Sequence, residues 1–280
     1  MLEKEDIQEL RSLATEVRCK TLEAIGRIGI GHIGGSLSIA DVLILLYYRH
    51  MHIDPKNPAM KDRDILVLSK GHSGPSLYTV LAMKGYFPMD WLESLNEGGT
   101  NLPSHCDMYR TPGIDMTTGS LGQGLSTAVG IALANRMDGV DRKVYTILGD
   151  GENHEGQVWE AAMSAAHFRL NNLIAFVDYN KMTVDGYIYD VMSIDDITAK
   201  YTSFGWFALR CSGHDFDEMD TAVKRAKGQT GRPSVIVLDT KKGKGAFFAE
   251  DNLANHNMAC DDITARKAIE ILEKEEARNE

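Results

Sequence analysis

Ile7, Leu10, Leu13, Ala14, Val17, Ala24, Ile25 and Ile28 recur at helical spacing, so the chain is predicted to open with a long amphipathic helix over 7–28. A glycine-rich break, "GIGHIGGS", follows, and a second helix is expected from about position 39 through "IADVLILLYYRH". It stops before "DPKNP", a turn with two prolines. "DILVLSKGH" reads as a short buried strand running into a loop. "PGIDMTTGSLGQGL" is a second glycine-rich loop, and it feeds the small-residue helix "STAVGIALANRM". Four later runs read as buried strands: "VYTIL" (144–148), "LIAFVD" (173–178), "WFALRC" (206–211) and "SVIVLD" (234–239). Helical patterns over 158–169, 194–204 and 217–227 separate them, and an amphipathic helix over about 261–279 closes the chain. Short apolar strands alternating with helices predict an α/β fold, a parallel sheet with helices on both faces. With no repeat, low-complexity tract or linker-like stretch, residues 1–280 are expected to form a single domain.

Composition changes this picture little, but it excludes some functions. An apolar fraction of 43% supplies an ordinary core. A net charge of −10 argues against a nucleic-acid partner, although local dipoles and a metal can still hold a small anion. Cys19, Cys106, Cys211 and Cys260 are scattered with no paired spacing, which reads as a reducing compartment with neither disulfides nor a zinc site. The opening "MLEKEDIQEL" is charged, unlike a signal peptide, and no apolar run approaches the roughly 20 residues of a membrane span. A soluble, cytoplasmic protein without membrane contact is expected.

The chemistry concentrates where two strands end. Asp150 follows "VYTIL" and Asn180 follows "LIAFVD" 30 residues later, the length of one βαβ unit. Such units cross over right-handedly with both strands pointing the same way. Asp150 and Asn180 therefore emerge side by side at the carboxyl edge of the sheet, where open α/β folds bind ligands. A carboxylate, an amide oxygen and a nearby carbonyl suit Mg²⁺ or Ca²⁺ and not zinc, and Mg²⁺ completes its shell with phosphate oxygens and water. Gly151 lets a phosphate approach the backbone and the helix start that follows. On three residues alone, "GDG" reads equally as a tight turn. An EF-hand is not matched after Asp150, and "GSLGQG" lacks the preceding strand of a dinucleotide-binding unit. Four of the nine histidines, His32, His72, His105 and His256, lie in glycine-flanked or loop contexts, and imidazole titrates near neutral pH.

Gly-Asp-Gly followed by Asn after about 30 residues resembles the thiamine diphosphate signature of a large enzyme superfamily. Within it the chain resembles transketolase, in particular the N-terminal subunit of a split, two-chain transketolase. The matching segments run almost end to end: "GHIGGSLS", "DRDILVLSKGHSGPSLY", "PGIDMTTGSLGQGLSTAVGIALA", "LGDGENHEGQVWEAAMSAAH", "LIAFVDYNKMTVDG", "GHD" and "KGKG". Deoxyxylulose-phosphate synthases differ at "LSKGHS", and dehydrogenase-type thiamine enzymes lack the "GHxGG" element.

The resemblance implies a thiamine-diphosphate-binding fold and transfer of a two-carbon ketol unit from a ketose phosphate to an aldose acceptor. It implies thiamine diphosphate with Mg²⁺, for which Ca²⁺ can substitute, and a metal site of Asp150, Asn180 and the carbonyl of Met182. His72 would contact the diphosphate, His105 would hydrogen-bond a donor hydroxyl, and His32 and His256 would relay protons. Gly119, Ser120 and Leu121 match the backbone that meets the aminopyrimidine. Gly151, Glu155, Asn180 and His256 complete the cofactor contacts. Glu155 and Glu160 match acids of a carboxylate network at a subunit contact, a surface helix being the alternative for Glu160. His50, His52, His154, His167 and His214 read as structural. Lys241, Lys242 and Lys244 read as a solvated loop in preference to a site for substrate phosphate.

Several positions depart from the full-length family. Ile33 and Ser120 stand where proline is common, and "SHCD" and "NHN" alter the surroundings of His105 and His256. The family's glutamate against the pyrimidine ring belongs to a further α/β domain, yet only 40 residues follow Thr240, too few for one. Either the chain is a fragment or a second polypeptide supplies the rest; the charged closing helix favours the second, so the pyrimidine-binding domain is expected on a C-terminal partner subunit, in an α2β2 heterotetramer. The rival expectations are half of another thiamine-dependent synthase or decarboxylase, and a cofactor-binding scaffold subunit.

Overall fold

The computed structural model describes residues 2–279. Helix α1 (Lys4–Ile28) buries Leu10, Ala14, Val17, Ala24 and Ile25 of the predicted stripe, leaves Ile7, Leu13 and Ile28 half-buried, and adds Leu22. It ends where Gly29 turns left-handed (φ 84°) and donates its N–H back to the Ile25 carbonyl. A three-residue strand, β1 (Gly29–Gly31), comes next. The glycine-rich stretch after it is not an open break: Ile33–Ser38 forms helix α2, buried throughout. Helix α3 (Ala40–Leu45) then widens into a π turn over Leu46–His50, which a regular 3.6-residue pattern does not reveal.

Strand β2 (Ile65–Leu68) runs through a short turn into helix α4 (Gly74–Lys84). After the long second glycine loop come α5 (Gln123–Met137), β3 (Val144–Gly149), α6 (Gly156–His167) and β4 (Leu173–Tyr179). Two short helices, α7 (Ile188–Met192) and α8 (Ile197–Ser203), precede β5 (Phe207–Ser212). Helix α9 (Phe216–Lys227) starts at Asp215, whose carboxylate accepts the N–H groups of Asp217 and Glu218. Strand β6 (Ser234–Asp239), strand β7 (Met258–Cys260) and helix α10 (Asp262–Asn279) complete the chain.

Five strands form one parallel sheet in the order β2-β3-β4-β6-β5. The period-2 alternation of each central strand divides its side chains between two cores. Tyr145, Ile147, Ile174, Phe176, Ile236 and Leu238 pack with α1, α3, α4 and α9. Leu148, Ala175, Val177, Val235 and Val237 pack with α5, α6 and α8. The predicted α/β sandwich is thus the observed one. β5 corrects one detail, because it is an edge strand and only half-buried: Arg210 projects from it and forks onto Asp239 of β6. β1 and β7 pair antiparallel, Gly29 opposite Cys260, and α10 packs along α1.

Candidate active site at the carboxyl edge of the sheet

Loops leaving β2, β3, β4 and β6 converge beyond the carboxyl ends of those strands. They enclose a cleft of about 350 Å³ lined by, among others, Lys70, His72, Asp150, Asn180, Met182, Lys242 and His256. Three hollows are larger, two against α1 and α10 and one between the ends of α5 and α6, but none of them is lined by these groups. The cleft lies where a parallel sheet of this kind presents ligands.

Asp150 is the first residue past β3 and is buried. Its carboxylate accepts the N–H groups of Gly151 (2.8 Å) and Lys181 (2.5 Å). Asn180 stands beside it from β4. Its Nδ2 donates to Asp178 (2.9 Å), which fixes the amide orientation, while its Oδ1 accepts the Met182 N–H (3.1 Å). Burial and the neighbouring charge of Asp178 push the Asp150 carboxyl up to about 7. The Asp150 carboxyl, the Asn180 amide and the Met182 carbonyl line the cleft together and offer three hard oxygen donors. The residues present therefore fit Mg²⁺ or Ca²⁺ and not zinc.

The four histidines come from four different segments and meet. His32 precedes α2, His72 follows β2, His105 lies in the second glycine-loop region, and His256 lies between β6 and β7. Ring centroids of His32 stand 5.4 Å from His72, 5.3 Å from His105 and 5.4 Å from His256, and His72 stands 4.8 Å from His256. Burial, then His105, lowers His32 to about 4. Burial, then Lys242, lowers His256 to about 4. Burial and Lys70 push His72 well below its usual value, and burial lowers His105. All four are neutral at pH 7, each with one N–H donor and one acceptor lone pair.

Other expected positions are distributed around this centre. Gly119 lies against the His105 ring, where a Cβ would come within 3.4 Å of Cδ2. Leu121, Gly151 and Glu155 line the cleft, and Ser120 is exposed between Gly119 and Leu121. Glu160 is exposed on α6, so this chain alone does not join it to Glu155 in a network. His50 is buried beside Asp220, and His214 donates from Nδ1 to Asp41 (2.7 Å) while accepting the Lys241 N–H (2.9 Å). His154 stands 2.7 Å from the Met192 carbonyl on the cleft wall.

Three groups in the site lie beyond the sequence expectations. Asp178, buried at the end of β4, accepts from Lys70 (2.5 Å), Ser38 (2.7 Å), Asn180 and Thr240. Burial acts to raise its pKa, but the Lys70 charge and these donors outweigh that and hold the carboxyl below its usual value. Glu152, inside "GDGENHEG", accepts from Ser69 (2.5 Å), Gly122 (2.8 Å) and Gly149 (3.0 Å), joining three site loops. Lys242 is buried, so the solvated-loop expectation fits Lys241 but not its neighbour. An acid closing an apolar strand, as Asp178 does in "LIAFVD", is the available signal, the same one that singles out Asp150.

Comparison with known proteins gives this geometry a family context. A family model described as transketolase, thiamine diphosphate binding domain, matches residues 10–275. A 6-deoxy-6-sulfo-D-fructose transketolase subunit of Clostridium sp. (strain MSTE9) is 55% identical over 96% of this chain and 98% of its own length. An apulose-4-phosphate transketolase subunit of Actinobacillus succinogenes is 37% identical over 95% of this chain and 97% of its own. Among solved structures, a transketolase variant from Pichia stipitis superposes with a TM-score of 0.88 at 31% identity, covering 95% of this chain and 40% of that one. A transketolase from Campylobacter jejuni gives 0.85 at 28% identity, covering 97% and 48%. The chain thus spans nearly all of the two subunit relatives and less than half of these solved transketolases.

Proposed function

The chain belongs to the transketolase family, and we propose that it is the cofactor-binding subunit of a two-chain transketolase that moves a two-carbon ketol unit from a ketose to an aldose acceptor. The observation that carries this reading is the meeting of His32, His72, His105 and His256 beside the Asp150–Asn180 oxygen site. Bound in the cleft, thiamine diphosphate supplies a carbon nucleophile that can accept and release the two-carbon unit. Asp150, Asn180 and the Met182 carbonyl would hold Mg²⁺, or Ca²⁺ in its place. Gly151, which has no side chain to hold a diphosphate off the turn after β3, would let it approach, with His72 as a donor. Gly119, Ser120, Leu121 and Glu155 would border the pyrimidine end.

The neutral histidines suit proton traffic at sugar hydroxyls. His105, exposed at the rim, would hydrogen-bond a donor hydroxyl. His32 and His256 each offer an unprotonated imidazole nitrogen at pH 7 and can take and return a proton as the carbon–carbon bond breaks and forms. The glutamate that acts on the pyrimidine ring would come from a C-terminal subunit, in a heterotetramer with two copies of each chain, in the cytoplasm. The 55% identical relative is named for a sulfonated ketose, so 6-deoxy-6-sulfo-D-fructose is the first donor to test, with xylulose 5-phosphate and apulose 4-phosphate alongside.

Calorimetry of thiamine diphosphate with Mg²⁺, into the purified chain and then into its mixture with the C-terminal subunit, tests the proposal. Tight binding in the mixture, with ketol transfer from one of the three donors, is the expected result. Binding without any ketol transfer would favour another thiamine-dependent half-enzyme or a scaffold subunit. No binding in either sample would remove the Asp150–Asn180 site and the reading with it.

A further inference from the structure

His214 of "GHD" does not line the cleft, yet it ends a chain of hydrogen bonds that leads to it. The chain begins at Arg18 of α1. Its guanidinium donates through Nη1 (3.3 Å) and Nη2 to the carboxylate of Asp41 on α3, and both side chains are buried. Burial acts to raise the Asp41 carboxyl, but the Arg18 charge and then the His214 contact outweigh it and hold the group well below its usual range. Asp41 is therefore an acceptor only, and His214 donates to it from Nδ1 (2.7 Å). That bond places the imidazole proton on Nδ1 and leaves Nε2 with a lone pair. The lone pair accepts the backbone N–H of Lys241 (2.9 Å).

Lys241 opens the segment that leaves β6 and carries two cleft residues, Lys242 and His256. The end of β5 lies tight against that exit. Gly213 donates its N–H to the Asp239 carbonyl (2.8 Å), and a Cβ on Gly213 would collide with Thr240 Cγ2 and stand 3.0 Å from Leu238 Cβ. Glycine is what lets His214 come so close. Farther along, the Lys241 side chain pairs with Glu250 (2.8 Å), whose other oxygen accepts the Gly245 N–H (2.8 Å). Gly243 donates to the Gly34 carbonyl (2.9 Å), and Gly34 donates to the carbonyl of Asn255, the residue before His256 (2.9 Å). Among the described residues, the His214 bond is the one that a side chain outside 240–256 makes to the backbone of that segment.

We propose that His214 is a positioning residue of the cleft: seated on the buried Arg18–Asp41 pair, it fixes the Lys241 backbone and through it the placement of Lys242 and His256. This rests on the cofactor reading given above and adds to it a residue that touches neither cofactor nor sugar. A site is only as exact as the groups that hold its lining, and a segment freed at its start presents both side chains loosely. The loss falls on cofactor binding and not on folding, because Thr240, Gly243 and Glu250 still tie the segment down.

The test uses the full chain together with its C-terminal subunit and compares wild type with His214→Asn and His214→Gln. The asparagine amide sits where Nδ1 does and can keep the bond to Asp41, but it offers no acceptor at the Nε2 position. The longer glutamine amide reaches that position, where its oxygen can accept from Lys241 while its nitrogen remains a donor. His214→Asn should bind thiamine diphosphate with Mg²⁺ several-fold weaker, the scale of one lost hydrogen bond, and His214→Gln should recover most of that affinity. With no cofactor present, amide exchange at 241–245 should be faster in His214→Asn, while β3 and β4 exchange as in wild type. The urea midpoints of the two variants should agree. If wild type binds the cofactor and His214→Asn matches it in affinity and in exchange, the proposal is overturned and the cofactor reading stands. A loss that glutamine does not recover, or that only follows the urea midpoint, makes His214 a packing residue and overturns it too. A wild type that binds no thiamine diphosphate overturns the cofactor reading, and this proposal with it.

Discussion

At the scale of single residues, the cleft floor depends on one fully buried ion pair. Lys70 and Asp178 meet at 2.5 Å with side chains 2% and 0% exposed, and Asp178 also takes Ser38, Asn180 and Thr240. Removing one partner strands the other in a low-dielectric site, which costs about 3–5 kcal/mol where such pairs are broken. Lys70→Met is therefore expected to lower the free energy of unfolding in urea by about that amount. A loss within about 0.5 kcal/mol, the range of ordinary surface changes, would mean that water reaches Asp178. The histidine cluster sets a pH dependence of opposite origin. His32 and His256 titrate near 4 in the folded chain against 6.5 ordinarily, because of burial and of His105 and Lys242 respectively. Between pH 4 and 6.5 the unfolded chain therefore binds more protons, so their contribution to stability is present above 6.5 and is lost as the pH falls towards 4. The urea midpoint of the wild type should drop across that window more than that of a His32→Asn/His256→Asn variant. Equal drops would place the acid sensitivity in other groups.

At the scale of elements, the site depends on two glycines in a helix that patterning reads as a break. A Cβ on Gly34 would stand 2.7 Å from the Asn255 carbonyl oxygen and from its Oδ1, and one on Gly35 2.9 Å from Ser73 Oγ and 3.1 Å from His72 Nε2. α2 is a helix because its neighbours bury it, against the propensity of its own residues. Gly34→Ala should cost about 1–3 kcal/mol by overpacking and should weaken thiamine diphosphate binding, since Asn255 adjoins His256. Gly98→Ala, with nothing within 4 Å of its Cβ, should fall within about 0.5 kcal/mol of wild type. Equal effects of the two on thermal unfolding would contradict the close approach. The same contrast separates what is legible in the sequence from what is not. α1, β3, β4 and β6 are visible because their apolar period survives in a few neighbouring residues. The four histidines are visible through their loop contexts and the family resemblance. The β1–β7 ribbon joins Gly29 to Cys260 through strands of three residues, too short to carry a pattern. Lys70 and Asp178 lie 108 positions apart, so only the sheet's register brings them together. Lys242 escapes a reading of the sequence because two neighbouring lysines make "KKGKG" look like a solvated charge run, when Lys241 is exposed, Lys244 half-buried and Lys242 buried.

At the scale of the whole molecule, the cleft has an exposed apolar rim. Leu121 (37% exposed), Val184 (61%) and Val191 (44%) all line the cleft mouth, with Tyr189 (61%) and Met192 (52%) beside them on α7. Scattered exposed apolar groups need no explanation, but a set bordering one cleft marks a candidate interaction or ligand-binding surface. Glu155 and Glu160 lie exposed on the same side of the sheet, on the turn and helix that follow β3. If the proposed C-terminal subunit docks here, this rim is the face it would cover. Amide hydrogen exchange can read that contact directly. Adding the C-terminal subunit should slow exchange at 119–122, 155–160 and 184–192, and thiamine diphosphate with Mg²⁺ should slow 180–184 further in the mixture. The outer edge strand β5 provides an internal reference and should exchange as before. Protection confined to 180–184 would leave the cofactor site standing without this docking face. Unchanged exchange along the whole rim, in a mixture that still transfers ketol units, would place the contact on another surface.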